Sequence, residues 1–381
     1  MKPSIALYLA LTSSFSSAEV SSFWQITDLH MDLTGQCSGG EDTMFGNFDN
    51  DNYGCGCSPL AVKSSMDFMT SLDAKEEKPD FIFFTGDSPW GDDLFDTHKA
   101  IKDMIVDKYP DTPHFFCLGN HDFEGSADTW EETYKKTADL WGDYLDDNAK
   151  KTFASKGYYS QKMPGGYKLL VLMTEHYNYG NDDVLQGKTY VEGYAQIDWL
   201  KEELSIARNE STPVYLFGHI PPGFENTYTN DPSQPAPGFL RPYWGDIFVR
   251  AFTDVTDEFQ DVIKTVIFGH EHVDTFRLAG EKTVLFESPS MSTGYPRSNP
   301  SIRKWMHNYT DVTDYKQYYL DLPESNKKKE ALWALEYQFS EAYGYGDLSR
   351  ESLIDLLERF KAEHKGEFVA QGCTYPVFCF T

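Results

Sequence analysis

Positive charge is scarce in this chain. Its 381 residues hold 33 Lys and Arg against 60 Asp and Glu, a formal net charge of −27 at pH 7. That balance argues against binding nucleic-acid polymers through a basic surface and against docking on anionic lipid by charge alone. Long apolar runs are scarce too. The stretch Ile5 to Leu11 is too short to span a bilayer. With Lys2 ahead of it and Ser16-Ser17-Ala18 behind it, residues 1–18 read as a signal peptide. No later run is long and apolar enough for a membrane helix. The end of the chain, Tyr375-Pro-Val-Phe-Cys-Phe-Thr381, lacks the hydrophobic tail of a lipid-anchor signal. Internal repeats and low-complexity tracts are missing as well. The expectation is an exported protein, secreted or lysosomal, with no transmembrane segment. A monomer is the expected state.

Cysteine is limited to six residues, which suits an oxidising compartment. Cys373 and Cys379 are close enough in sequence to staple the tail. Cys37 could pair with Cys55 or Cys57, while Cys117, inside an apolar run, reads as a buried thiol. Asn209-Glu-Ser211 and Asn308-Tyr-Thr310 are glycosylation sequons.

The rest of the composition is that of a globular protein, 40% hydrophobic and 24% charged, in a chain long enough for a large core. From residue 19 to about 310, short apolar strands alternate with helical stretches. One helix should begin at Ser58-Pro59, a cap followed by proline, with Val62, Met66 and Met69 on one face. Another should cover Ala195 to Arg208 through Ile197, Leu200 and Leu204. This alternation implies a layered α/β sandwich, parallel in part. A loop rich in Pro, Asn and Gly from Pro221 to Pro242 should shape a cleft. Beyond residue 311, amphipathic helices are expected over Lys327–Glu341, carrying Leu332, Leu335 and Phe339, and over Ser349–Lys361. They would form a small helical subdomain, 311–381, packed on the catalytic part, 19–310.

Five short motifs carry the chemistry: Asp28-Leu-His30, Gly86-Asp87, Gly119-Asn120-His121-Asp122, Gly218-His219 and Gly269-His270-Glu-His272. Each follows an apolar run: Trp24 to Ile26, Phe81 to Phe84, His114 to Leu118, Val214 to Phe217 and Val266 to Phe268. That order puts metal ligands at the C-terminal ends of strands, where α/β sheets place their sites. Singly, each motif has a duller reading as a turn, a helix cap or a sheet-edge histidine. Five in one order make a metal site. Asp28 and His30, two apart in an extended segment, should point the same way. Asp87 has two oxygens and can bridge two ions. Asn120 offers a carbonyl oxygen, and His219, His270 and His272 offer imidazoles.

This order of motifs resembles the calcineurin-like metallophosphoesterase superfamily. Within it, the chain looks like the acid sphingomyelinase-like phosphodiesterases. The narrower likeness rests on Gly218-His-Ile-Pro-Pro-Gly223, Phe268-Gly-His-Glu-His-Val-Asp274, Ser288-Pro-Ser290, Asn299-Pro300 and Tyr315 through Leu322. It implies an α/β fold, a calcineurin-like metallophosphoesterase β-sandwich flanked by helices. It also implies two zinc ions, one held by Asp28, His30, Asp87 and His272, the other by Asp87, Asn120, His219 and His270. His121 would be the catalytic histidine, with Asp122 as its orienting partner. The related purple acid phosphatases carry a tyrosine ligand for ferric iron three residues after the bridging aspartate. Trp90 stands there in this chain and cannot ligate, which favours zinc. Family members also carry a second histidine where this chain has Gly91. No saposin-like lipid-presenting domain fits before Asp28.

The resemblance and the acidic charge together point to a phosphodiesterase for small soluble substrates, nucleotides or CDP-choline. The alternatives are a sphingomyelin phosphodiesterase releasing phosphocholine and ceramide, and a metal-binding protein without turnover.

Overall fold

The computed structural model describes residues 21–34, 41–47, 56–89, 94–123, 129–224, 242–293, 298–363 and 377–380. The expected signal peptide, Cys37, Cys55, Cys373, Trp90, Gly91 and most of the loop after Pro221 lie outside the described residues. Cys379 falls in a described strand, its side chain outside the described part.

The strands run, in chain order, β1 (Ser21–Ile26), β2 (Phe81–Phe84), β3 (His114–Phe116), β4 (Tyr159–Lys162), β5 (Lys168–Val171), β6 (Val214–Phe217), β7 (Ile263–Phe268), β8 (Thr275–Ala279), β9 (Thr283–Glu287), β10 (Ser301–His307), β11 (Val312–Leu320), β12 (Trp333–Gln338) and β13 (Val377–Phe380). One sheet has the order β12-β11-β10-β1-β2-β3, the other β13-β8-β9-β7-β6-β5-β4. β1, β2 and β3 are parallel, as are β5, β6 and β7. Parallel strands covered on both faces read as unbroken apolar runs. Hence Phe81-Ile-Phe-Phe84 and Val214-Tyr-Leu-Phe217, in which every residue is buried.

The sheets meet through aromatic rings. Phe83 of β2 stacks on Phe217 of β6, with centroids 3.9 Å apart, and Phe23 of β1 meets the same ring edge-on. Burying one such side chain stabilises by roughly 1.5–3 kcal/mol, so the strand ends that carry the motifs are firmly anchored. On the opposite face Trp24 donates its Nε1–H to Asp73, at the end of the helix Pro59–Asp73. That helix starts as its sequence predicts. Ser58 accepts the Ala61 N–H at 3.1 Å and Pro59 opens the first turn. The helices Tyr190–Glu210 and Asp246–Glu258 cover the second sheet, packing Leu200, Leu204, Phe248 and Phe252 against Leu170 and Leu216.

The expected helix over Lys327–Glu341 is not formed. A short helix, Leu322–Lys328, stops at Lys329, whose φ of 56° is left-handed. The chain then extends as β12 and pairs antiparallel with β11. Leu332, Leu335 and Phe339 have helical spacing, but Leu335 is exposed, so they share no buried face. A ladder of hydrogen bonds along β11 wins over local propensity. Residues after 311 therefore extend the first sheet before turning helical. The second expected helix is present at Arg350–Glu363, with Leu353, Leu356 and Leu357 buried. Cys57 carries a free, fully buried thiol and is no disulfide partner here, and Cys117 is also free and buried, as expected.

Candidate metal centre

The parallel register brings the C-terminal ends of β1, β2, β3, β6 and β7 together, and all seven expected ligands gather there. The backbone does unusual work at this edge. Asp28, His30, Asp87, His270 and His272 all have positive φ, between 42° and 78°. They are five of the eight described non-glycine residues that do. Each such residue costs about 1–3 kcal/mol and persists only where its surroundings over-determine it, and such strain clusters at functional sites. The spacing predicts that Asp28 and His30 reach the site by strand alternation, and the structure differs. Each leaves the sheet in a left-handed conformation, pegged by Asp28 N to Gly86 O (3.1 Å) and His30 N to Asp87 O (3.0 Å).

Glycine is required at two motif positions. Gly86 has φ of 94°, and a Cβ there would sit 2.7 Å from the Gly119 nitrogen. A Cβ on Gly119 would fall 2.2 Å from Asp87 Oδ1.

Two groups of ligand atoms result, with Asp87 between them. In the first, Asp28 Oδ1 lies 3.2 Å from His272 Nε2. The Nε2 atoms of His30 and His272 face each other at 3.2 Å. In the second, Asp87 Oδ2 lies 3.1 Å from His219 Nε2, which is 3.2 Å from Asn120 Oδ1, and His270 completes the group. The same Asp87 oxygen lies 3.6 Å from His30 Nε2 in the first group. Ring nitrogens crowded against carboxylates in this way form a donor set that cations between them satisfy. His219 is fixed in the useful tautomer. Its Nδ1 lies 2.6 Å from the Thr85 carbonyl, which can only accept, so the proton sits on Nδ1 and Nε2 is left to ligate.

The electrostatics agree. Burial drives His30 and His270 down to about 3, so both stay neutral. Burial opposes charge on Asp28, yet His272 and His219 hold its carboxyl down at about 2. Asp87 is held well below the usual carboxylate range, burial being outweighed by His219 and His121. His219 is the exception. Burial pushes it down, but Asp87 and Asp28 outweigh that and raise it to about 10. In the metal-free protein a proton on His219 thus stands in for a cation.

The sequence comparisons agree with this geometry. Residues 21–274 match the family model of the calcineurin-like phosphoesterases. The chain belongs to that family. Residues 288–377 match the acid sphingomyelin phosphodiesterase C-terminal region. The chain is 28% identical to sphingomyelinase phosphodiesterase C of Dictyostelium discoideum, covering 92% of this chain and 84% of that one. It is 28% identical to acid sphingomyelinase-like phosphodiesterase 3b of Mus musculus, covering 91% and 81%. It is 26% identical to cyclic GMP-AMP phosphodiesterase SMPDL3A of Bos taurus, covering 95% and 85%. As a calcineurin-like phosphoesterase it is a metal-dependent phosphodiester hydrolase, of a family that uses a binuclear metal site, and its Asp and His clusters could hold metal.

Within this phosphoesterase site, His121 is the exposed member. Its ring lies 4.9 Å from that of His30, and its N–H donates to Asp87 Oδ1 at 2.7 Å. Asp122 points inward. Its carboxylate accepts the N–H groups of Asp87, Ser88 and Gly119, and His98 Nε2 lies 3.1 Å away. It clamps the turn that presents Asp87. Three contributors escape the motif reading. Thr27 donates to Asp28 Oδ2 at 2.6 Å, Thr85 orients His219, and Tyr243 stands edge-on to His270 at 4.8 Å. The threonines adjoin ligand motifs in sequence and could have been found there. Tyr243 gives no local signal.

Proposed function

We propose that the chain is an exported zinc phosphodiesterase acting on small soluble phosphodiesters and phosphoanhydrides, such as nucleotides or CDP-choline. One observation carries this reading: two ligand groups share Asp87, and the solvent-facing His121 stands beside them. Asp28, His30, Asp87 and His272 would hold one ion, and Asp87, Asn120, His219 and His270 the other. Their nitrogen and oxygen donors suit zinc. When bound, the two ions would activate a water as nucleophile and neutralise charge on the phosphoryl oxygens. His121 would give a ring-nitrogen proton to the leaving oxygen. Asp122 holds the Asp87 turn in register, and Thr85, by accepting the Nδ1 proton of His219, turns Nε2 towards the ligand cluster as the atom that would ligate once its own proton is displaced.

The net charge of −27 supports small soluble substrates over an anionic lipid surface. The relatives named cyclic GMP-AMP phosphodiesterase support a nucleotide. The leader-like residues 1–18 and the sequons at Asn209 and Asn308 support export, to the outside or to the lysosome. A second reading, sphingomyelin hydrolysis, is favoured by the match of residues 288–377. Zinc-loaded protein should be assayed at pH 5 against cyclic GMP-AMP, CDP-choline, ATP and sphingomyelin micelles. Hydrolysis confined to the soluble substrates is expected. Equal turnover of sphingomyelin would overturn that preference.

A further inference from the structure

We propose that Arg277 is the positioning residue of the His270-Glu271-His272 turn, holding the two imidazoles at the separation that lets each serve a different ion. This rests on the binuclear reading above and adds a residue that no motif contains. The turn is strained, since His270 and His272 have φ of 78° and 61°, and Glu271 N closes back on Gly269 O at 3.0 Å. Such a turn persists only where its neighbours over-determine it.

Glu271 lies between the two histidines, and its carboxylate is buried against Arg277 Nη2. Arg277, fully buried in β8, also engages Glu287 and Phe224. Nε pairs with Glu287 at the end of β9, and Nη1 donates to the Phe224 carbonyl at 2.7 Å. Phe224 borders the loop that follows His219. The guanidinium also lies over the Tyr243 ring, at 5.5 Å, and Tyr243 stands edge-on to His270. Arg277 therefore grips the turn twice, through Glu271 and through Tyr243. Both grips are referenced to β8 and β9, the antiparallel pair of which β9 lies beside β7. A planar fork of five donors suits this task, whereas a lysine ammonium, a single point charge on a flexible stem, does not.

The test uses the full chain loaded with cobalt, together with Arg277→Lys, Arg277→Met and Glu271→Ala. Metal per chain, the visible spectrum of the cobalt protein, the melting temperature, and kcat and KM for bis(p-nitrophenyl) phosphate are measured. Arg277→Lys and Glu271→Ala are the deciding variants if Arg277→Met, which strands two buried carboxylates, fails to fold. In both, an altered cobalt spectrum and a kcat lowered at least tenfold, with KM within threefold, are expected. Full restoration by lysine would overturn the proposal, as would folded variants with the wild-type spectrum and kcat. If the wild type binds cobalt but cleaves no diester, the functional reading fails. A shifted spectrum in the variants would still uphold the positioning role.

Discussion

One carboxylate oxygen of Asp122 accepts both the Asp87 N–H, at 2.8 Å, and the Gly119 N–H, at 2.7 Å. Asp87 and the Asn120-His121 segment are thereby tied to a single buried atom. Asp122→Ala would leave these N–H groups and that of Ser88 unpaired, at roughly 1–3 kcal/mol for each that water cannot reach. We expect the melting temperature to fall and metal affinity to drop about 10–100-fold. Equilibrium dialysis against a graded chelator measures the second effect. Asp122→Asn, which keeps one acceptor oxygen, should lose less of both.

His121 is exposed where the metal ligands are mostly buried, so its loss should spare the metals. His121→Ala is expected to retain two metals per chain while kcat falls about 10²–10⁴-fold. The loss should be greatest for substrates with poor leaving groups and smallest for p-nitrophenyl esters. A uniform loss across leaving groups would argue against proton donation.

Metal binding must displace a proton from His219, raised to about 10 when no metal is bound. Below that pH the proton competes with the cation, so affinity should rise with pH through the neutral range. Titrating the metal-free protein in weak buffer at pH 7 should release about one proton from this residue. His219→Ala should abolish that release along with tight binding at the second position. Chelation should also lower stability, by about 2.7 kcal/mol relative to protein held at 100 times the dissociation constant.

Two adjacent buried residues tilt the stability of the metal-free protein in opposite directions. Burial raises Glu175 from 4.5 to about 7, although Asn181 and Asn178 donate to it. In the unfolded chain it ionises near 4.5, so stability is lost as pH climbs from 4.5 to 7. Burial lowers His176 from 6.5 to about 3. Unfolding lets it take up a proton below 6.5, so stability is lost as pH falls below that value. At pH 5 the His176 contribution is about 2 kcal/mol. Chemical denaturation should therefore show a shallower acid limb for His176→Gln and a gain near pH 7 for Glu175→Gln.

Much of the site was legible in the sequence because its ligands follow strands that are apolar on both faces. Phe81–Phe84 and Val214–Phe217 match β2 and β6 residue for residue. What the sequence hid is non-local. β12 is fixed by pairing with β11, and a helical spacing of leucines says nothing about that partner. The left-handed turns at Asp28 and His30 are held by carbonyls of the Gly86-Asp87 segment, far along the chain. Arg277, Glu271 and Glu287 meet only because β8 folds back beside β9. Asp122 lies inside a motif, yet its clamping contacts depend on where β2 ends.

The most direct test of the account is the anomalous scattering of a zinc-loaded crystal. Two peaks are expected, both touching the Asp87 carboxylate, one also touching Asp28, His30 and His272, the other Asn120, His219 and His270. A single peak, or two that do not share Asp87, would contradict it.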